Sequence, residues 1–134
     1  MFRIDKQIRF HHCDPAGIIF YPQYFVLFHE LLEDWFGLGL GVEYGRFVRT
    51  QGRGLPTVKI ECEFLRPVSM GEVLSLELTV QHMGTSSLTL ALRGSAGGHE
   101  AVRAVQTVVH SSLAPLRALP IPDERRAAIQ PFCA

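Results

Sequence analysis

Residues 21–36 read YPQYFVLFHELLEDWF and residues 58–64 read VKIECEF, and the different periods of these two stretches decide the fold. In the first, Tyr21, Phe25, Phe28, Leu32 and Trp35 step by four, three, four and three positions, which is one apolar stripe along a helix. Gln23, Glu30 and Asp34 fall roughly opposite it. Proline suits a first helical turn, so the spacing predicts a helix from about Pro22 to Phe36. Gly37, Gly39 and Gly41 end it. Tyr24, Leu27, Leu31 and Phe36 widen the apolar surface beyond the stripe, as suits a helix buried in a curved sheet. In the second stretch Val58, Ile60, Cys62 and Phe64 alternate with Lys59, Glu61 and Glu63, the period of a strand with one solvated face.

Working outward, Phe2, Ile4, Ile8 and Phe10 share even positions and predict a strand within residues 2–11. A short helix is expected at about Val42–Thr50. Leu74, Leu76, Leu78 and Val80 share one face of the next strand, and Leu88, Leu90 and Leu92 share one face of another. Residues 101–110 are rich in valine and alanine, as for a strand covered on both faces. Met70-Gly71, Met83-Gly84-Thr85 and Gly97-Gly98 supply turns. Pro122–Ile129 reads as a terminal helix with Asp123 and Glu124 in its first turn. A strand, a long helix and then four strands make an α+β layer, an antiparallel sheet wrapped on one apolar helix. One domain is expected over residues 1–134.

Composition narrows the function classes. With 47% hydrophobic residues the chain can fill a core, and 13 basic side chains balance 13 acidic ones. Neither nucleic acid nor an anionic membrane is an expected partner. No apolar run approaches the ~20 residues that span a bilayer, and charges interrupt the N-terminal MFRIDKQIRF. Cys13, Cys62 and Cys133 are odd in number and far apart, which suits a reduced, cytoplasmic setting.

The densest chemistry lies in residues 11–29: His11, His12, Cys13 and Asp14, then Tyr21, Tyr24 and His29. Four readings compete. Imidazole, thiolate and carboxylate can ligate a metal, but strand neighbours point to opposite faces. Cys13 could be a nucleophile with His11 or His12 as base. Asp14 could do no more than start an Asp-Pro turn. Or Asp14 could stand just before a helix whose first free N–H groups form an electropositive pocket. Pro22 has no N–H, so Tyr21 would be the donor. A thioester oxygen gains negative charge when its carbon is attacked, and such a donor would stabilise it while the carboxylate attacks or activates water.

The segment CDPAGIIFYPQY, residues 13–24, resembles the active-site segment of the 4-hydroxybenzoyl-CoA thioesterase family. The shared pattern is an aspartate, a glycine three residues on and a tyrosine ten residues on, here Asp14, Gly17 and Tyr24, and Tyr21-Pro22 matches the aryl-CoA branch. The resemblance implies a hot-dog fold, a homodimer or homotetramer with active sites at the subunit interface, Asp14 as nucleophile or general base, and the Tyr21 N–H on the thioester oxygen. It implies an acyl pocket near Gly54-Leu55-Pro56-Thr57 and a CoA-contacting turn at Gly84-Thr85-Ser86-Ser87. CoA enters as part of the substrate, and no metal or other cofactor is called for. Three departures from the family stand out. His29 stands where 4-hydroxybenzoyl-specific relatives carry an aspartate for the ring hydroxyl. Met83 and Gly84 fall near that branch's phosphate-binding arginines, leaving Arg66, Arg93 or Arg103 for that task. His12 replaces an acidic residue, and a protonated His12 beside Asp14 would favour the ionised carboxylate.

Tyr24, Phe25, Phe28 and Trp35 could line an aryl pocket or simply be core. His29 could touch substrate or be a satisfied structural group. Gly17 is expected to serve the backbone, through a positive φ or a close approach. The expected reaction is hydrolysis of a compact or aromatic acyl-CoA to the free acid and CoA. An acyl-thioester hydratase or dehydratase on the same fold would release no thiol. A non-catalytic acyl-CoA binding module would bind without turnover.

Overall fold

The computed structural model describes residues 1–134. Strand β1 (Phe2–Gln7) comes first, then helices α1 (Tyr21–Asp34) and α2 (Tyr44–Arg49), and then the short strand β2 (Arg53–Gly54). Four long strands follow: β3 (Thr57–Phe64), β4 (Val73–Met83), β5 (Ser87–Ala96) and β6 (His99–Val109). Strands β7 (Ser111–Leu113) and β8 (Leu116–Ala118) and helix α3 (Asp123–Ile129) complete the chain. The main sheet runs β1-β4-β5-β6-β3, all pairs antiparallel.

Register explains the core. Phe2 lies opposite Leu78, Leu78 opposite Leu92, Leu92 opposite Ala104 and Ala104 opposite Cys62, one apolar row across five strands. Rows of this kind meet Tyr24, Leu27, Phe28, Leu31 and Leu32 of α1 in a single buried cluster. Each fully buried leucine contributes about 1.5–3 kcal/mol. Opposite this face of α1, Lys6 of β1 reaches Glu30 at 3.3 Å and Asp34 at 2.9 Å, so the polar side of the helix is tied to the sheet edge. Burial pulls the Lys6 ammonium down, but the two carboxylates outweigh it and the net shift is upward.

Several expectations need correction. β1 stops at Gln7, because Ile8 N–H bonds to Glu72 O and residues Phe10–His12 form a 3₁₀ turn that leaves Phe10 81% exposed. The long helix begins at Tyr21 and passes, after Asp34, into a wider π turn over Trp35–Gly39, in which Leu40 N–H bonds to Trp35 O. Phe28, Leu32 and Trp35 of the predicted stripe are buried, together with Tyr24, Leu27, Leu31 and Phe36 beside it, but Tyr21 and Phe25 at its start are exposed. β6 is covered on one face only, with Arg103 and Val105 open to solvent. The second sheet, order β2-β7-β8, carried no local signal in its two- and three-residue strands. β4, β5, α2 and α3 fall where the sequence put them, and the turn glycines sit between them.

Candidate active site

Residues 12–20 form a tight excursion stapled to the start of α1. Cys13 bridges Ile19, Phe20 N–H donates to His12 O at 2.9 Å, and Asp14 N–H donates to Ile18 O at 3.0 Å. At the tip, Asp14 Oδ1 accepts from Ala16 N–H at 2.8 Å and Gly17 N–H returns to Asp14 O at 2.9 Å. Gly17 has φ +77° with nothing within 4 Å of an added Cβ, so the glycine serves the left-handed conformation and not a close approach. Asp14 Oδ1 is occupied by the turn, while Oδ2 has no hydrogen-bond partner in the chain. The excursion is anchored to the sheet side through Ile19 N–H to Val68 O and Met70 N–H to Gly17 O.

Tyr21 opens α1, and its N–H precedes the first intrahelical bond, so no helical acceptor is available to it. Gln23 N–H, by contrast, folds back on Phe20 O at 2.8 Å. Asp14 and the free donor therefore belong to one rigid turn-helix junction. Beside it lies a groove of about 270 Å³ lined mainly by apolar side chains, among them Ile18, Tyr21, Tyr24 and Phe64. Asp14 itself stands outside that lining. Tyr24 is buried, its ring 5.6 Å from that of Phe64, and desolvation, then Cys62 and Glu72, push its hydroxyl up to about 12.

Tyr21, Phe25 and His29 recur every fourth residue on the exposed side of α1. His29 Nε2 lies 3.3 Å from Glu33 Oε2, and its ring meets Tyr44 edge-on at 5.8 Å. Eight residues of helix put His29 about 12 Å along the axis from Tyr21. Glu33 and Tyr44 were missed by sequence reasoning; the fourfold spacing of His29 and Glu33 was the available signal.

His12 departs from expectation. It is buried, its Nδ1 accepts from Arg9 N–H at 2.9 Å, and burial, then the neighbouring His11, lower its pKa. A neutral imidazole is what this environment favours, so a protonated His12 does not support the Asp14 charge. The Cys13 thiol donates to Arg9 O at 3.4 Å and meets no histidine base there.

The remaining predicted site residues gather elsewhere. Gly54 is buried in β2, where an added Cβ would stand 2.6 Å from Leu113 Cδ2. Pro56 O accepts from Val109 N–H and Thr57 Oγ1 from Gln106 Nε2. Gly84, Thr85 and Ser86 all have their carbonyls engaged, by Arg126 Nη1 at 2.7 Å, Ile121 N–H at 2.8 Å and His110 N–H at 2.7 Å. Both groups adjoin the end of the sheet where Thr57, Met83, Ser87 and Val109 lie. The Asp14 turn adjoins the other end, at Phe64. Seven strand residues at ~3.3 Å each put these ends about 23 Å apart, so one chain does not bring the two groups together. Of the basic candidates, Arg93 pairs with Glu100 at 2.6 Å and Arg103 with Glu63 at 3.5 Å, both arginines remaining exposed; Arg66 makes no ion pair and lines the groove. Arg126 was not foreseen, because it meets Gly84 across 42 positions and no local pattern reports that.

The thioesterase-like superfamily model matches residues 8–129. A 1,4-dihydroxy-2-naphthoyl-CoA hydrolase from Synechococcus elongatus is 30% identical over 108 residues, 80% of this chain and 78% of that protein. A 1,4-dihydroxy-2-naphthoyl-CoA thioesterase from Synechocystis superposes with a TM-score of 0.86 at 21% identity, over 96% of this chain and 95% of that one. A 4-hydroxybenzoyl-CoA thioesterase variant complexed with 4-hydroxybenzoyl-CoA gives 0.86 at 24% identity, over 96% and 97%.

Proposed function

Since the chain belongs to the thioesterase-like superfamily and has its hot-dog fold, we propose that it hydrolyses an aromatic acyl-CoA thioester to the free acid and CoA. The observation that carries this is the junction itself: a carboxylate with one uncommitted oxygen and a helix-opening N–H with no acceptor, held by the same stapled turn. In the proposed reaction the Tyr21 N–H receives the thioester oxygen as it becomes negative. Asp14 either attacks the carbonyl carbon, forming an anhydride that water then opens, or takes a proton from water as the water attacks. In both routes the C–S bond breaks and CoA leaves with its sulfur protonated. The chemistry needs neither metal nor redox group. The relatives named above act on hydroxylated aromatic acyl groups, and the exposed Tyr21, Phe25 and His29 offer a ring two apolar surfaces and a polar end.

The same reading requires a second copy. β3 is an edge strand with no partner on its outer side, and its apolar residues Val58 and Phe64 are 62% and 48% exposed. Antiparallel pairing of β3 with its own copy is self-complementary. It would bring the Thr57 end of one chain alongside the Phe64 end of the other, uniting Asp14 with Gly54, Pro56, Thr57 and the Gly84–Ser86 turn. We therefore favour a homodimer, with a homotetramer as two such pairs. No helix is long and apolar enough to cross a membrane. The three free cysteines suit the reducing conditions of a cytoplasmic setting, which is the location favoured here. The experiment is a thiol-release screen of aryl, short-chain and long-chain acyl-CoAs; no release from any aryl-CoA refutes the proposal.

A further inference from the structure

The three carboxylates on the last turns of α1 are not equivalent. Glu30 and Asp34 are shared by Lys6 of β1. Glu33 meets neither lysine nor arginine within 4.0 Å; its partner in that range is His29, whose Nε2 lies 3.3 Å from Glu33 Oε2. Tyr44, at the start of α2, closes another side of the imidazole. Its ring packs on Phe36 at 5.5 Å and on Phe47 at 5.8 Å, which fixes it, and it meets the His29 ring at 5.8 Å with the two planes at 90°. Burial, then the Glu33 charge, raise the pKa of the Tyr44 hydroxyl, so that group stays neutral beside the carboxylate.

An ionised carboxylate only accepts hydrogen bonds. Beside one, a neutral imidazole keeps its proton on the facing nitrogen and leaves the other bare, and the carboxylate makes that bare nitrogen more basic. Here the facing nitrogen is Nε2, and Nδ1 has no hydrogen-bond partner in the chain. His29 lies on the same exposed side of α1 as Tyr21 and Phe25, at the polar end of the surface on which the proposed acyl ring rests. From this arrangement we infer that Glu33 and Tyr44 are positioning residues that hold His29 as a hydrogen-bond acceptor, so that the site selects an acyl ring bearing a donor, a free hydroxyl, at its far end. An ether or a carboxylate there would set acceptor against acceptor. The selectivity rests on the proposed thioesterase reading; the clamp on the imidazole does not.

The test is run at about pH 8, where an imidazole is ordinarily neutral. Wild type should favour 4-hydroxybenzoyl-CoA over 4-methoxybenzoyl-CoA at least tenfold in kcat/KM. Glu33→Ala frees the ring to turn its N–H outward and should reduce that ratio at least fivefold. Glu33→Gln, whose amide oxygen still accepts from Nε2, should keep it within twofold of wild type. On a His29→Asp background, which has no ring to orient, adding Glu33→Ala should change the ratio less than twofold. A wild type that does not distinguish the two esters, a ratio unmoved by Glu33→Ala, or a Glu33 effect that persists without His29 overturns the inference. Imidazole 15N NMR reads the clamp without turnover. His29 should show a protonated Nε2 and a bare Nδ1, and free 4-hydroxybenzoate should shift the Nδ1 signal more in wild type than in Glu33→Ala. A protonated Nδ1, or one indifferent to the acid, also overturns it. A wild type with this His29 signature and response that releases no thiol keeps the clamp and sinks the thioesterase reading instead.

Discussion

Asp14 closes a turn and has a proposed catalytic role, and two substitutions separate the two. Oδ1 closes the turn on Ala16 N–H at 2.8 Å, while Oδ2 is uncommitted. Asparagine keeps an oxygen for Ala16 and removes the charge; alanine removes both. Loss of one partly solvated hydrogen bond costs about 0.5–1.5 kcal/mol, which for a domain of this size lowers Tm by roughly 2–7 °C. Asp14→Ala should therefore melt several degrees below wild type, and Asp14→Asn should stay within about 0.5 kcal/mol of it. Activity should divide differently. Removing a positioned acid–base group costs on the order of a hundredfold or more in kcat, or about 2.7 kcal/mol of barrier, and both variants should lose it alike. Thermal melts and thiol-release kinetics on the same preparations give the two numbers. A folded Asp14→Asn protein retaining kcat within a few-fold of wild type refutes the catalytic role and leaves Asp14 a turn former.

Four further outcomes follow from packing and charge. Leu31→Ala, at a fully enclosed position, should cost about 2–5 kcal/mol in denaturant titration. Tyr24 in the unfolded chain ionises near 10.0, but in the fold only at about 12. The unfolded state thus binds fewer protons between those values, and stability should fall as pH rises through that window, by on the order of 2 kcal/mol; Tyr24→Phe should flatten the fall in alkaline melts. His29→Ala should change the ratio of kcat/KM between hydroxylated and unsubstituted aryl-CoAs more than it changes Tm; a uniform loss across all acyl groups removes His29 from the pocket. Val58→Glu on the open edge should shift the protein to monomer in size-exclusion chromatography and abolish turnover, whereas an active monomer contradicts a shared site.

What the sequence made legible was whatever a short period encodes. β4 and β5 were readable because every second residue faces the core, β3 because it keeps the same alternation although only Ile60 and Cys62 pack on the core, and α1 because its apolar residues recur at helical spacing. The exposure of Tyr21, Phe25 and Val26 was not readable, because they are as apolar as the residues of α1 that are buried, and only the position of the sheet decides between them. β1 was overextended because Phe10 keeps the alternation while the hydrogen bond from Arg9 N–H to His12 Nδ1 closes a turn there. Around the site, the Asp14 turn could be read from Asp-Pro and Gly17, since turn chemistry is local. The state of His12, the pairing of Arg93 and Arg103, and the meeting of Arg126 with Gly84 depend on neighbours distant in sequence or on burial.

Lys6 has a consequence for how far the molecule can grow by adding strands. A sheet with two open edges could add copies at both and run on as a ribbon. At the β1 edge, the core-facing side of the strand carries an ammonium that is at ease because α1 supplies the carboxylates of Glu30 and Asp34. An incoming strand on that border would have to lie against this charged junction without carboxylates of its own to offer. Extension is thus discouraged on this flank, and the proposed pairing of β3 with its own copy would close the other, so the two together would favour discrete particles over fibres.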